Sequence, residues 1–228
     1  MKRCVCLFLT AALLLFPITL HADGSDPPIR AGSADTPRIA LTFDDGPHPK
    51  KTDAILDLLE EYGIRATFFV IGENVGYYTA PLMRAVSLGH EIGNHTFSHG
   101  RTAKLTATDL ETEIRKTEDA LASVGVHTNL FRPPEGVCSE TIMQTAKKLG
   151  YRVVLWNVDT RDWDKASVEE IVKRVRTGIR GGSIILFHDY TAPGTNTLAA
   201  LRCLIPELLA DGYEFVTVSE LCPPESPA

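Results

Sequence analysis

Five short stretches of the chain hold residue types that can do chemistry. Thr42-Phe43-Asp44-Asp45-Gly46-Pro47 sets two carboxylates side by side ahead of a turn. Neighbouring carboxylates in different surroundings can divide the work, one ligating a cation while the other stays free as a base. Asp-Gly-Pro is equally ordinary turn chemistry. His95-Thr96-Phe97-Ser98-His99 places two imidazoles at i, i+4. One helical turn would bring both to the same face, at a spacing that lets them share a cation. A carboxylate added to them makes a His2Asp set with a position left open for water, the catalytic rather than the structural arrangement. Phe131-Arg132-Pro133-Pro134-Glu135-Gly136 puts an arginine ahead of a stiff backbone. Asp159-Thr160-Arg161-Asp162-Trp163 reads as a capping turn or a site loop, and Leu186-Phe187-His188-Asp189 runs an apolar strand into a histidine.

These residues need elements to hold them. Strand-like runs fall at 38–43, 66–71, 90–93, 128–131, 152–156, 183–187 and 214–218. Helical patterns fill the intervals at 52–62, 80–88, 108–124, 140–149, 168–179 and 198–210. Glycines at 63, 89, 125, 150 and 212 stand where C-caps belong. Short apolar strands alternating with helices imply a parallel sheet buried on both faces, either a (β/α) barrel or an open doubly wound sheet. No G-x-G-x-x-G turn follows the first strand, so the dinucleotide-binding form loses its signature. The reactive residues sit at the carboxyl ends of five strands, the face on which barrel enzymes build their sites.

Composition narrows the partners. Of 228 residues, 44% are hydrophobic and 23% charged, which excludes collagen, coiled coil and wholesale disorder. The net charge is −6 and no run of five or more basic residues occurs, which makes nucleic acid and anionic membrane surfaces poor candidate partners. Residues 1–22 have the positive start, apolar centre and small final Ala22 of a secretory signal. An uncleaved membrane anchor is the rival reading, and both place the body outside the cytoplasm, secreted or at the cell surface. Residues 23–36 read as a flexible linker, 37–222 as one catalytic domain and 223–228 as a tail. After the signal, Cys138, Cys203 and Cys222 remain. They read as small apolar residues, with a Cys203–Cys222 bridge as the alternative. The absence of C-x-x-C spacing argues against a sulfur-ligated zinc site.

The five stretches, in this order, resemble the NodB-homology polysaccharide deacetylase family, whose motifs are TFDDGP, H-[ST]-x-x-H, R-x-P-x-G, D-x-x-D-W and an apolar strand ending L-x-H. The resemblance runs from about residue 37 to 221. It implies an irregular (β/α)7 barrel of α/β class. It implies a divalent transition metal, zinc first, on Asp45, His95 and His99. By the same resemblance Asp44 is the base, oriented by Arg132, and His188 the acid, oriented by Asp162. The backbone N–H of Glu135 would face the oxyanion, with Trp163 and Leu186 as pocket walls. Asp159 reads as a cap, and Asp189 has no assigned role. Many members carry an aromatic residue where this chain has Glu135. Arg-Pro-Pro-x-Gly with a charged x is similar to muramic-acid-directed members, whereas the complete TFDDGP is similar to the N-acetylglucosamine branch.

The expected function is removal of N-acetyl groups from an amino-sugar polymer, peptidoglycan N-acetylglucosamine first, by a monomer without a protein partner. Chitooligosaccharide deacetylation and acetylxylan esterase activity are alternatives within the family. A non-catalytic, metal-dependent glycan-binding protein is the alternative from another class.

Overall fold

Period-two alternation along the central strand decides which residues can meet. In Arg38–Asp44 (β1), Ile39, Leu41 and Phe43 join a large apolar cluster with residues of the surrounding helices. Ala40 joins a smaller cluster on the other face, the side on which Thr42 and Asp44 bond to Arg132. Side chains on a strand alternate between faces, so one face packs on helices and the other lines the inside of the curled sheet. Each large apolar residue buried on the helix side contributes about 1.5–3 kcal/mol.

The computed structural model describes residues 26–190 and 193–224. After β1 come α1 (Lys51–Glu61), β2 (Thr67–Val70), α2 (Gly72–Tyr77), α3 (Thr79–Ser87), β3 (Glu91–Asn94), α4 (Ala107–Ala122), β4 (Leu130–Phe131) and α5 (Glu140–Lys148). Then follow β5 (Arg152–Val153), β6 (Val158–Asp159), α6 (Val168–Gly178), β7 (Ile184–His188), α7 (Thr197–Ala210), β8 (Glu214–Phe215) and α8 (Val218–Leu221). The strands run parallel in the order β5-β4-β3-β2-β1-β7-β6, with β8 paired to the start of β1. This is a seven-strand curled half-barrel with helices outside, as expected for the irregular (β/α)7 class. Each predicted helix is present, and the five capping glycines all take positive φ.

The register of β1 on β7 pairs Ala40 with Ile184, Thr42 with Leu186 and Asp44 with His188. A one-residue slip would turn all of these to the helix side. Gly93 of β3 is required to be glycine, because a Cβ there would lie 2.3 Å from the Phe69 ring. That ring in turn lies 4.1 Å from the Arg132 guanidinium.

Several sequence expectations need correction. The run 152–156 does not continue as one strand. The carbonyls of Val154 and Leu155 accept from Arg132 Nε and Nη2 at 3.2 and 3.1 Å, so they are turned away from a strand partner. The chain then starts a separate β6. The run 214–218 likewise divides into β8 and the capped helix α8, where Thr217 and Glu220 form a capping box.

Of the expected linker 23–36, the described part is bonded to the sheet. Ile29 N donates to Val153 O at 2.8 Å, Leu155 N donates to Ile29 O at 2.7 Å, and Ala31 bridges Ser183. An apolar Ile29 within a polar stretch is the signal that was passed over. It fills part of the edge left by β5, which does not pair with β6. Cys138, Cys203 and Cys222 are all free, so the Cys203–Cys222 alternative is not realised, and Cys203 is exposed rather than buried. The signal at 1–22 and residues 225–228 of the tail lie outside the described residues. No helix among the described residues is long and apolar enough to cross a membrane.

Candidate active site

Asp44, Asp45, His95, His99, Glu135, Trp156, Asp159, Trp163, Leu186 and His188 line one cavity of about 530 Å³ at the carboxyl end of the sheet. Residues from β1, β3, β4, β5, β6 and β7 or the turns after them meet there, although they lie up to 144 positions apart in the chain.

Among the described residues, Asp45, His95 and His99 form the part of the site suited to a cation. Their ligand atoms all lie within 4.8 Å of one another. Asp45 Oδ1 stands 3.5 Å from His95 Nε2 and 3.3 Å from His99 Nε2, yet it is buried without a hydrogen-bond partner. A buried, unsatisfied carboxylate oxygen costs free energy unless something positive meets it. His95 Nδ1 lies 2.7 Å from the carbonyl of Arg132. That contact fixes the proton on Nδ1 and leaves the Nε2 lone pair for a metal. Burial opposes charge on Asp45, but His95 and the other nearby imidazoles outweigh it and hold the carboxyl below its usual range. Burial, and after it His95, lowers the pKa of His99. A hard-and-borderline O,N,N donor set of this kind fits a divalent transition ion.

The two histidines do not share a helical turn, contrary to the expectation from their spacing. They flank an irregular loop after β3 in which Thr96 and His99 have φ of 69° and 53°. Asn94 Oδ1 accepts from Thr96 N at 2.9 Å. Glu113 of α4 accepts from Phe97 N, Ser98 N and Ser98 Oγ at 3.1, 2.8 and 3.0 Å. Asp45 is also left-handed, at φ 78°. Such conformations cost about 1–3 kcal/mol each and cluster where the surroundings over-determine them.

On the barrel-interior side of this group, Asp44 is 3% exposed and its Oδ1 accepts from Arg132 Nη1 at 2.7 Å. Arg132 has no exposed surface. Nη1 also donates to Thr42 Oγ1 at 2.9 Å, and the guanidinium lies over both the Phe69 and Trp156 rings. Burial depresses the arginine's pKa, and Asp44 opposes that shift. On the adjoining strand β7 the register partner of Asp44 is His188, whose Nδ1 lies 2.7 Å from Asp162 Oδ1. Asp162 Oδ2 accepts from His188 N at 2.9 Å and from Thr197 Oγ1 at 2.7 Å. Burial alone would push His188 down, but Asp162 overrides it and raises the ring's pKa to about 9.

Glu135 sits in the left-handed region at φ 59°, in a tight turn braced by Gly136 against Trp156. Trp163 is 48% exposed at the cavity mouth, whereas Leu186 is buried at 3%. Asp159 caps its turn by accepting from Arg161 N at 2.9 Å, and it also faces the cavity. Asp189 is buried beside Gly46, accepts from Thr52 Oγ1 at 2.6 Å, and burial raises its pKa to about 7.

Sequence reasoning passed over Thr42, Asn94, Glu113, Trp156 and Thr197. Trp156 lines the cavity, and the other four sit one contact behind a reactive group. Thr42, inside TFDDGP, and Asn94, directly before His95, adjoin their motifs, whereas Glu113, Trp156 and Thr197 lie at distances that no local pattern reveals.

Comparison with known proteins agrees with this geometry. The family profile described as "Polysaccharide deacetylase" matches residues 31–154. A peptidoglycan-N-acetylglucosamine deacetylase of Bacillus cereus is 42% identical over 185 residues, 80% of this chain and 87% of that protein. The peptidoglycan-N-acetylglucosamine deacetylase PgdA of Listeria monocytogenes is 36% identical over 185 residues, but the chain spans only 38% of its length. The crystal structure of the Bc1960 peptidoglycan N-acetylglucosamine deacetylase superposes with a TM-score of 0.81 at 35% identity, covering 85% of this chain and 91% of that one. A seven-strand half-barrel with this cavity, a profile match over half the chain and a relative at 42% identity lead to one conclusion: the chain belongs to the polysaccharide deacetylase family.

Proposed function

We propose that this chain hydrolyses N-acetyl groups from amino-sugar polymers, with the N-acetylglucosamine of peptidoglycan as its main substrate. The observation that carries the reading is a pair of side chains on neighbouring strands at one cavity: a buried carboxylate clamped by Arg132 and, beside it, an imidazole held by Asp162. Amide hydrolysis needs a base to take a proton from water and an acid to give one to the departing nitrogen.

Asp44 acts as the base. Arg132 Nη1 holds its Oδ1 and leaves Oδ2 for the water. Water adds to the acetyl carbonyl carbon as Asp44 Oδ2 accepts its proton. The C–N bond then breaks, acetate departs, and His188 Nε2 delivers its proton to the amine. With its pKa raised to about 9, His188 still carries that proton at neutral pH. The Glu135 turn offers a backbone N–H toward the oxyanion. Leu186 and Trp163 enclose the acetyl methyl group and the sugar. A divalent ion, zinc in our reading, would be held by Asp45, His95 and His99 and supplies the Lewis acidity that acidifies water and polarises the carbonyl.

A protein that only bound glycan would have no use for this arrangement. Buried ion pairs add little to stability, so Arg132–Asp44 is better understood as chemistry than as scaffolding. The chain acts outside the cytoplasm, exported by residues 1–22. The test is acetate release from peptidoglycan, N-acetylglucosamine oligomers and acetylxylan, with metal stripped and zinc restored. Zinc-dependent acetate from peptidoglycan is expected. Acetate only from another glycan overturns the substrate, and silence on all three with zinc bound overturns the reaction.

A further inference from the structure

Outside the cavity, four rings form a continuous strip over the neighbouring strands β2, β1 and β7. Tyr77 and Tyr78 end α2, His48 follows β1, and Tyr190 follows β7. Successive ring centroids are 6.2 Å apart for Tyr77–Tyr78, 6.3 Å for Tyr78–His48 and 4.8 Å for His48–Tyr190. Tyr77 is 72% exposed and Tyr190 38%. Packing does not account for them, since none of the four belongs to the buried apolar clusters of the described residues. Exposed contiguous aromatic surface marks a binding face.

The strip is tied to the catalytic groups at three points. Asn74 of α2 donates to the carbonyl of Asp45 at 2.8 Å. Tyr190 is two residues beyond His188. His48 N donates to Thr52 Oγ1 at 2.7 Å, Thr52 Oγ1 donates to buried Asp189, and Asp189 N donates to Asp44 O at 3.1 Å. The His48 ring is itself fixed, because Nδ1 accepts from Lys50 N and Lys51 N at 3.1 and 3.2 Å where α1 begins. That assigns the proton of the neutral ring to Nε2, which serves as a donor.

We propose that Tyr77, Tyr78, His48 and Tyr190 form a stacking subsite for sugar rings of the polymer beyond the residue being deacetylated. The proposal rests on the glycan-deacetylase reading above and adds where the rest of the chain of sugars lies. A pyranose presents apolar C–H faces and equatorial hydroxyls, which suit tyrosine faces flanked by phenol and imidazole donors. The occupant is a glycan rather than a protein because both ends of the strip adjoin the reacting groups: Tyr190 follows His188 by two residues, and α2, which leads into Tyr77, is bonded to Asp45 through Asn74. With Trp163 exposed at the cavity mouth, a polymer passing His188 meets aromatic surface at the site and beyond it. The subsite makes the enzyme favour long substrates.

The test compares N-acetylglucosamine dimers and hexamers, by calorimetric binding to the zinc-loaded protein and by acetate release. The wild type is expected to prefer the hexamer. Tyr77→Ala/Tyr190→Ala should remove roughly tenfold of that preference, in KM rather than kcat, while Tyr77→Phe/Tyr190→Phe keeps it. Met83→Ala, at an exposed apolar residue elsewhere, should change nothing. Tyr77→Ala alone, at a side chain too exposed to matter for folding, should move the preference in the same direction. A wild type indifferent to length, or a double alanine variant within about twofold of it, overturns the subsite. Hexamer binding weakened in the alanine variant while no glycan yields acetate would overturn the deacetylase reading and leave the subsite standing.

Discussion

His188 and His90 are both little exposed, and they sit at opposite ends of the barrel with opposite fates. His188 ends β7 at the catalytic face, and two oxygens of Asp162 hold its ring and backbone. His90 precedes β3 at the other end, where its Nδ1 accepts from Ala66 N at 3.1 Å and its ring meets Phe68 edge-on. Among the described residues its Nε2 has no hydrogen-bond partner. Burial, followed by Arg65 and Arg84, pushes its pKa to about 4, while His188 rises to about 9. Burial is common to both. The difference is the charge nearby: Asp162 first, then Asp44 and Asp45, around His188, against Arg65 and Arg84 around His90, and it decides whether a buried imidazole can keep a proton to give.

The largest way to break this contrast is Asp162→Asn, which should give His188 surroundings like those of His90. We expect kcat/KM on N-acetyl substrates to fall by about 10³–10⁴. The basic limb of the pH–rate profile should move down from near 9. Activated acetate esters, whose leaving group needs no proton, should lose far less. An equal loss on both substrates would remove His188 from the acid role.

Arg132→Met comes next. It strands the buried Asp44 charge and should cost about 3–5 kcal/mol in urea unfolding. Asp44→Leu/Arg132→Met should recover most of that stability and none of the activity. A single variant as stable as wild type would show that Asp44 is not charged in the fold.

Smaller effects appear in the pH dependence of stability. His90 has a folded pKa below its unfolded value of 6.5, so its contribution is intact above 6.5 and declines as pH falls toward about 4, by roughly 3 kcal/mol in full. His188 has the opposite sign: its contribution is full below 6.5 and is lost as pH rises through about 9. His90→Asn, which keeps an acceptor for Ala66 N, should flatten the loss between pH 7 and 4.5. A urea midpoint in that variant as pH-sensitive as wild type would refute the assignment.

The smallest effect concerns Glu135, exposed at the cavity. Glu135→Tyr should reduce the preference for partly deacetylated, positively charged oligomers over fully acetylated ones. The change should be about fivefold at most, since an exposed pair is worth under about 1 kcal/mol. An unchanged preference would remove the carboxylate from substrate selection.

Much of the site was legible in advance, because its residues lie in short motifs at strand ends and strand ends are marked by apolar runs. The same local logic failed where bonds cross the chain. The 152–156 run reads as a strand because its residues suit one; Arg132, twenty-odd positions earlier, takes two of its carbonyls. The 23–36 stretch reads as a linker because it is polar; Ile29 alone carries it onto the edge of β5. The His95–His99 spacing suits a helix, yet Asn94 and Glu113 hold it as a left-handed loop.

By itself the sequence determined the α/β class with its parallel sheet, most of the elements and the set of reactive residues, because periodicity and turn chemistry are local properties; the barrel rather than the open sheet followed from the family resemblance. The tertiary structure decided which of those residues act together and in what protonation state. Register across β1 and β7 sets Asp44 beside His188, and burial next to Asp162, or without a carboxylate, separates one histidine's chemistry from another's. Those are distances between parts of the chain far apart in sequence, and electrostatic free energies depend on such distances and on the exclusion of water.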